Sequence, residues 1–157
     1  MSRDKYGVEM TDTEIAEFLT RQGHGVLSFG GEVPYGLPVS FGYDVLENRC
    51  IFQLLFDPDS RKQSHIDESD AASLVAYEWV DIDDWRSVVI DGRLDRIDAD
   101  EPAALDAAEV FADYGSVVGL TVFNRPLEEL RAEWYQLDIV EMRGFQSPVG
   151  DEDRIDE

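Results

Sequence analysis

Short apolar segments separated by turn residues, with little chain between them, limit what residues 25–97 can fold into. Gly25–Gly30 reads as a short strand and Gly30-Gly31 as a turn. Tyr35–Asp44 reads as a longer strand in which Pro38 calls for an edge or a bulge, because proline cannot donate to a ladder. Glu47-Asn48 is turn material before Arg49–Phe56, a continuous apolar strand. Parallel neighbours need a crossover of about a dozen residues or more, so connections this short predict an antiparallel meander. Asp57-Pro58-Asp59-Ser60 reads as a loop ending at a helix cap, and Arg61–Asp67 as a short helix. Ala71–Val80 and Arg86–Ile97 follow as strands joined by the acidic loop Asp81–Asp84, and Trp134–Phe145 is the last strand.

The helices are signalled by their caps. Thr11-Asp12-Thr13-Glu14 is a capping box, Ile15, Phe18 and Leu19 then share one face, and Gly23 ends the element. Asp98 or Asp100 can cap a further helix with Pro102 in its first turn and Ala104, Leu105, Ala108, Phe111 and Ala112 as its buried stripe. Asn124-Arg125-Pro126 opens another, brief one through Arg131. These elements predict an α+β fold, a six-stranded antiparallel β-barrel with flanking helices. No G-x-G-x-x-G or Walker lysine loop argues for a parallel nucleotide-binding sheet. The expected organisation is an N-terminal extension over 1–10, one domain over 11–147 and an acidic tail over 148–157.

Charge narrows the partners. Against 13 Lys plus Arg stand 35 Asp plus Glu, a formal charge of −22 over 157 residues, which repels phosphate backbones and argues against a nucleic-acid partner. A basic membrane-surface stretch is missing, and runs such as Ala71–Tyr77 and Ser116–Phe123 fall far short of the roughly 20 residues that cross a bilayer. The first residues lack the apolar core of a signal peptide, and the single cysteine, Cys50, makes no intrachain disulfide. A cytoplasmic protein without a membrane role is expected. Lysine occurs only at positions 5 and 62, and abundant carboxylate with so little lysine suggests adaptation to high salt, where self-repulsion is screened.

Chemistry is concentrated at Ser60-Arg61-Lys62, where a strand passes through a loop into a helix. A helix start offers free N–H donors, Arg61 a planar fork and Lys62 a point charge, a combination suited to a phosphate. The same cations also suit surface ion pairs with Asp57, Asp59 or Asp67, and residue types alone leave both readings open. His24, placed in a turn between glycines, and His65 are too few for a metal set. Asp81, Asp83 and Asp84 lack the glycine and distant glutamate of a calcium loop, so no metal is expected. Cys50 reads as a buried small hydrophobe and Trp79, ending an apolar strand, as core. Ser28, Ser40 and Ser87 sit in no nucleophile elbow.

Ser60-Arg61-Lys62, then Ala71–Trp79, then Trp85-Arg86-Ser87-Val88-Val89-Ile90-Asp91-Gly92 resembles the FMN-binding split-barrel superfamily typified by pyridoxamine 5′-phosphate oxidase. Upstream, Gly25-Val26-Leu27-Ser28 and Tyr35-Gly36-Leu37-Pro38-Val39-Ser40-Phe41 extend the resemblance to roughly residues 11–145. It implies a homodimeric split barrel with FMN at the subunit interface. Ser60, Arg61 and Lys62 would hold the FMN phosphate, and Val39 and Ser40 would line the ring or ribityl chain. Leu54 and Leu55 would face it, and Ser87 would stand where the oxidases place a flavin-contacting glutamine. Trp134 is a candidate for stacking near the ring.

The departures matter as much. Leu37–Tyr43 is uncharged where the oxidases carry basic residues, and their C-terminal segment rich in Arg, Trp and Gly has no counterpart after Trp134. Vitamin B6 synthesis is therefore not expected. The expectation is a flavin-dependent oxidoreductase with a small-molecule electron donor or acceptor, and no catalytic acid or base is assigned, since the flavin carries the chemistry. The rivals are a reductase using the deazaflavin F420 and a non-enzymatic dimer that binds flavin or senses a ligand.

Overall fold

The computed structural model describes residues 7–56, 64, 66, 69–98 and 131–148. They form β1 (Val8–Glu9), α1 (Asp12–Gln22), β2 (His24–Phe29), β3 (Tyr35–Ser40), β4 (Gly42–Asp44), β5 (Arg49–Phe56), β6 (Ala71–Asp81), β7 (Asp84–Ile97) and β8 (Arg131–Gln146). The capping box is present: the Thr11 N–H donates to Glu14 Oε1 (2.8 Å) and the Glu14 N–H to Thr11 Oγ1 (3.1 Å). Gly23 closes α1 in the left-handed conformation at φ 68°. Ile15, Phe18 and Leu19 are buried as their spacing requires, and α1 packs against β4 and β6.

All pairings are antiparallel, in the order β3-β2-β6-β7-β8-β5-β4, with β1 beside β8. This path begins with β3 and ends with β4, yet in the chain those two strands are separated by Phe41 alone. Its two ends are therefore tied together, and the sheet must curl into a half-barrel. Accordingly β3 also touches β5 across the curl. The expected six strands become eight among the described residues. The single strand expected over Tyr35–Asp44 breaks at Phe41, where it leaves β2 for β5, and the two-residue β1 carries too little pattern to be read. Pro38 lies on β3, an end strand of the path. Strand β8 starts at Arg131, earlier than expected. The helices expected after Asp98 and Asn124 lie outside the described residues. For the short helix expected over Arg61–Asp67, Ser64 and Ile66 are described and both are helical, with Ile66 against the core.

Inward-facing residues of every long strand fill the curl. Leu27, Phe29, Val39, Phe52, Leu54, Leu74, Val88, Ile90 and Leu137 form one cluster with the helix residues and Phe41. Cys50 belongs to it, and burial pushes its thiol pKa far up, so it is an inert hydrophobe as expected. Trp79 departs from expectation. Period two turns it outward beside Trp85, and it is 60% exposed. His24, expected in a turn, is the first residue of β2 and faces outward. Among the described residues no helix is long and apolar enough to cross a membrane.

The longest ladder, between β7 and β8, carries a register shift between Asp91 and Gly92 that brings the backbones very close. A Cβ on Gly92 would lie 2.2 Å from the Asp138 carbonyl oxygen, whereas one on Gly30 would meet nothing within 4 Å. Gly92→Ala is therefore expected to lower stability by about 1–3 kcal/mol, and Gly30→Ala to change it by less than about 0.5 kcal/mol, in urea unfolding. A second expectation concerns Glu14. Hydrogen bonds from the Thr11 backbone and the Gln146 side chain (2.9 Å) lower its pKa below the ordinary carboxylate value. A lowered native pKa stabilises the fold above the unfolded-state value and is lost as pH falls through the native one. Glu14→Gln should therefore be less stable than the native chain near neutrality, with the gap closing between about pH 5 and pH 3 in denaturant midpoints.

Candidate functional site

The candidates on β3 and β5 share one side of the curl. Extending the β4–β5 register from the Gly42 and Ile51 pair puts Val39 level with Leu54, and these strands are in contact. Both Val39 and Leu54 are buried with their side chains in the core. Only their main chain is left for a ligand. Ser40 and Leu55, one residue further along, are half-buried and turned the other way. Beside β3 the register sets Ser40 opposite His24.

Ser87 lies elsewhere. It pairs with Tyr77 on β6 and Phe145 on β8, whereas Leu54 and Leu55 pair with Glu133 and Ala132. The thirteen residue steps along β8 from Ala132 to Phe145 amount to roughly 40 Å of extended strand, and β2 and β6 stand between Ser87 and β3. Within one chain, then, Ser87 does not meet Leu54 or Leu55. Ser87 and Ser40 do face the same way, outward from the curl. Ser60, Arg61 and Lys62 lie outside the described residues. Trp134 is half-buried on β8, opposite Gln53 and Ile97.

Sequence reading missed the groups that hold the closing end of the sheet. Arg49 Nε donates to Asp44 Oδ2 (3.0 Å) and Arg49 Nη1 to Gln136 Oε1 (2.6 Å). The Arg49 and Asp44 side chains are only about a tenth exposed, so this pair clamps β4, β5 and β8 while little water competes. An Arg and an Asp five residues apart around a turn are the only signal the sequence offers for it. Tyr43, whose hydroxyl donates to Asn48 Oδ1 (3.1 Å), has its pKa raised chiefly by burial. It lines an open groove of about 560 Å³ with Asp12, Val45, Val140 and Glu141, and none of the described candidate residues borders that groove. On the outer face the Ser73 hydroxyl donates to the Asp91 carboxylate across the β6–β7 ladder. Among the described residues no group of three His, Cys, Asp or Glu side chains is placed to hold a metal ion.

A curled antiparallel half-barrel with one packed helix defines the class. A family model described as pyridoxamine 5′-phosphate oxidase matches residues 11–146, and the chain belongs to that family. No curated protein matches the chain by sequence. Solved structures similar in fold include an FAD-binding protein from Mesorhizobium loti, at 17% identity and TM-score 0.67, covering 90% of this chain and 99% of that one. The FAD-binding protein from Mycobacterium smegmatis is similar at 13% identity and TM-score 0.65, covering 91% and 100%. An FAD- and heme-binding protein from Mycobacterium smegmatis follows at 15% identity and TM-score 0.60, covering 97% and 80%.

Proposed function

We infer that this chain binds FMN and works as a flavin-dependent oxidoreductase, in the cytoplasm and as a homodimer whose second copy completes each flavin pocket. The observation that carries the reading is membership of the pyridoxamine 5′-phosphate oxidase family over residues 11–146. The residue chemistry fits. Val39, Ser40, Leu54, Leu55 and Ser87 are all uncharged, as a flat, largely neutral ring system requires. Strand β3 ends the sheet path, so among the described residues only one of its backbone edges pairs with a strand in the sheet, and the donors and acceptors on a flavin ring edge suit such a boundary.

Ser60, Arg61 and Lys62 would hold the phosphate, Arg61 by its fork and Lys62 as a point charge. Ser40 and Leu55 would shape the ring wall from one subunit, and Ser87 would reach it from the other. When bound, the flavin supplies hydride and electron transfer. The chain's own part is to grip the anion, exclude water from the ring and leave one face open to a small-molecule electron donor or acceptor. The domain is taken as 11–147, flanked by an extension over 1–10 and an acidic tail over 148–157, in a chain whose charge suits concentrated salt.

FAD in place of FMN is a second reading, favoured by the neighbours of similar fold that bind FAD. It keeps the same ring and adds a phosphate and adenosine, which a chain of charge −22 attracts less readily.

Fluorescence titration of FMN and FAD into the native chain and into a variant carrying Arg61→Ala and Lys62→Ala tests the reading. Two charge-assisted contacts worth about 1.5–3 kcal/mol each predict that the variant binds FMN roughly a hundredfold to ten-thousandfold more weakly. Equal affinity would return both cations to surface ion pairing. Tighter binding of FAD than of FMN would select the second reading. Bound flavin that reduced nicotinamide bleaches supports an oxidoreductase, and bound flavin that no donor reduces supports a binding or sensing dimer.

A further inference from the structure

The groove beside Tyr43 lies at a gap in the sheet. One edge of β8 pairs with β7; the opposite edge takes β5 as far as Asp138 and β1 from Phe145. Between those two, among the described residues, no strand pairs with this edge over residues 139–143. The Gly144 carbonyl accepts the Met10 N–H (2.8 Å) here, so alternation turns the main chain of Met142 to the same edge. Val140 is skipped in the β7 register and stands 74% exposed. The start of α1 and the β4–β5 turn wall the gap, and the resulting 560 Å³ falls within the roughly 300–1,000 Å³ of small-molecule sites.

The lining sets the chemistry. Ala16, Ile139 and Met142 are half-buried and packed against the core, which makes an apolar floor. Asp12 on α1 and Glu141 on β8 stand exposed at the rim, and among the described residues neither has an ion-pair partner. No Lys or Arg joins them in the described lining. Arg49 is committed to Asp44 and Gln136, and Arg143 lies two residues along β8 from Glu141, outside the groove. The Tyr43 hydroxyl gives its proton to Asn48 Oδ1 (3.1 Å), so what it offers the groove is a lone pair. Burial chiefly, and then negative charge that includes Asp12, raises the Tyr43 pKa, which places that carboxylate in the field of the hydroxyl.

We propose that this groove binds a small organic ammonium ion with an apolar body. The floor takes the hydrocarbon, and the ammonium N–H groups donate to Asp12, Glu141 and the Met142 carbonyl at the open strand edge. An anion is repelled by both carboxylates. A metal ion gains nothing from the apolar floor, and among the described residues no three ligating side chains meet to hold one. The site goes beyond the flavin reading and does not rest on it. Asn48, at one end of the groove, stands six residues before Leu54, roughly 20 Å of extended chain from that candidate wall.

Amide NMR titration of the full chain with phenethylammonium chloride tests this, with phenethyl alcohol as the neutral counterpart, in the lowest KCl concentration that keeps native circular dichroism. The expected result is shifts centred on Thr13, Tyr43, Asn48 and Met142, with the ammonium bound at least about tenfold tighter than the alcohol. Glu141→Gln, on the exposed strand edge, should weaken the ammonium about fivefold and leave the alcohol unchanged. Adding Asp12→Asn should bring the loss to about tenfold or more. Asp83→Asn, at the exposed β6–β7 turn, should change neither probe. Asp12 lies in the first turn of α1, so urea midpoints accompany the variants, and Glu141→Gln alone decides if Asp12→Asn lowers stability. A groove whose amides do not shift would overturn the proposal, as would equal affinity for the two probes or a Glu141→Gln chain that binds the ammonium like the native one. Shifts as strong at Asp81, Asp83 and Asp84 would overturn it too, since they mark counter-ions gathering on a chain of charge −22.

Discussion

At Phe41 the chain stops pairing with β2 and begins pairing with β5, and the Phe41 N–H goes to the Gly23 carbonyl at 2.9 Å. That hydrogen bond ties the end of α1 to the point where the two ends of the sheet path meet. Because β3 and β4 are one run of chain with a single residue between them, the path cannot lie flat. The Phe41 ring is fully buried and tilted against Phe52 at 6.5 Å between centroids. Burying a side chain of that size contributes on the order of 2–3 kcal/mol. The Arg49, Asp44 and Gln136 contacts then hold β4 against β5 and β8 at the same closing end.

The curl determines where a ligand can sit. Its concave side is taken up by aromatic and aliphatic side chains from α1 and from every long strand, packed as a core. The one thiol there is held neutral by burial. Binding groups must therefore be main chain at the end strand, half-buried side chains on the convex side, or residues on the connections. Ser40, Leu55 and Ser87 fall in the second group, and the main chain of Val39 and Leu54 in the first or beside it.

Local signals were legible and pairing was not. Four residues, Thr11 to Glu14, specified the start of α1, and Gly23 its end, because capping is settled within one turn. Arg49–Phe56 was bounded correctly, since a polar turn precedes an apolar run and acidic residues follow it. The break at Phe41 left no trace, because Val39, Phe41 and Tyr43 alternate as one strand should and the partner switch is a tertiary event. Trp79 reads as core because it ends an apolar strand, although its parity with Tyr77 turns it out. Among the candidate site residues, chemistry was legible and placement was not. That Ser87 stands far along β8 from Leu54 and Leu55 depends on where β7 and β5 pair along β8, which no periodicity announces. Membership of the family, by contrast, was legible in Ser60-Arg61-Lys62 and the strands that flank it, and residues 11–146 carry it.

The most direct measurement is an absorption spectrum of the chain purified in molar salt, mixed with FMN and passed through gel filtration in the same buffer. A flavin site formed by the β3 edge, the outward serines and the Ser60-Arg61-Lys62 cations predicts flavin bands that travel with the protein at about one FMN per chain. Flavin eluting entirely in the small-molecule volume, with the protein colourless and folded, would contradict it.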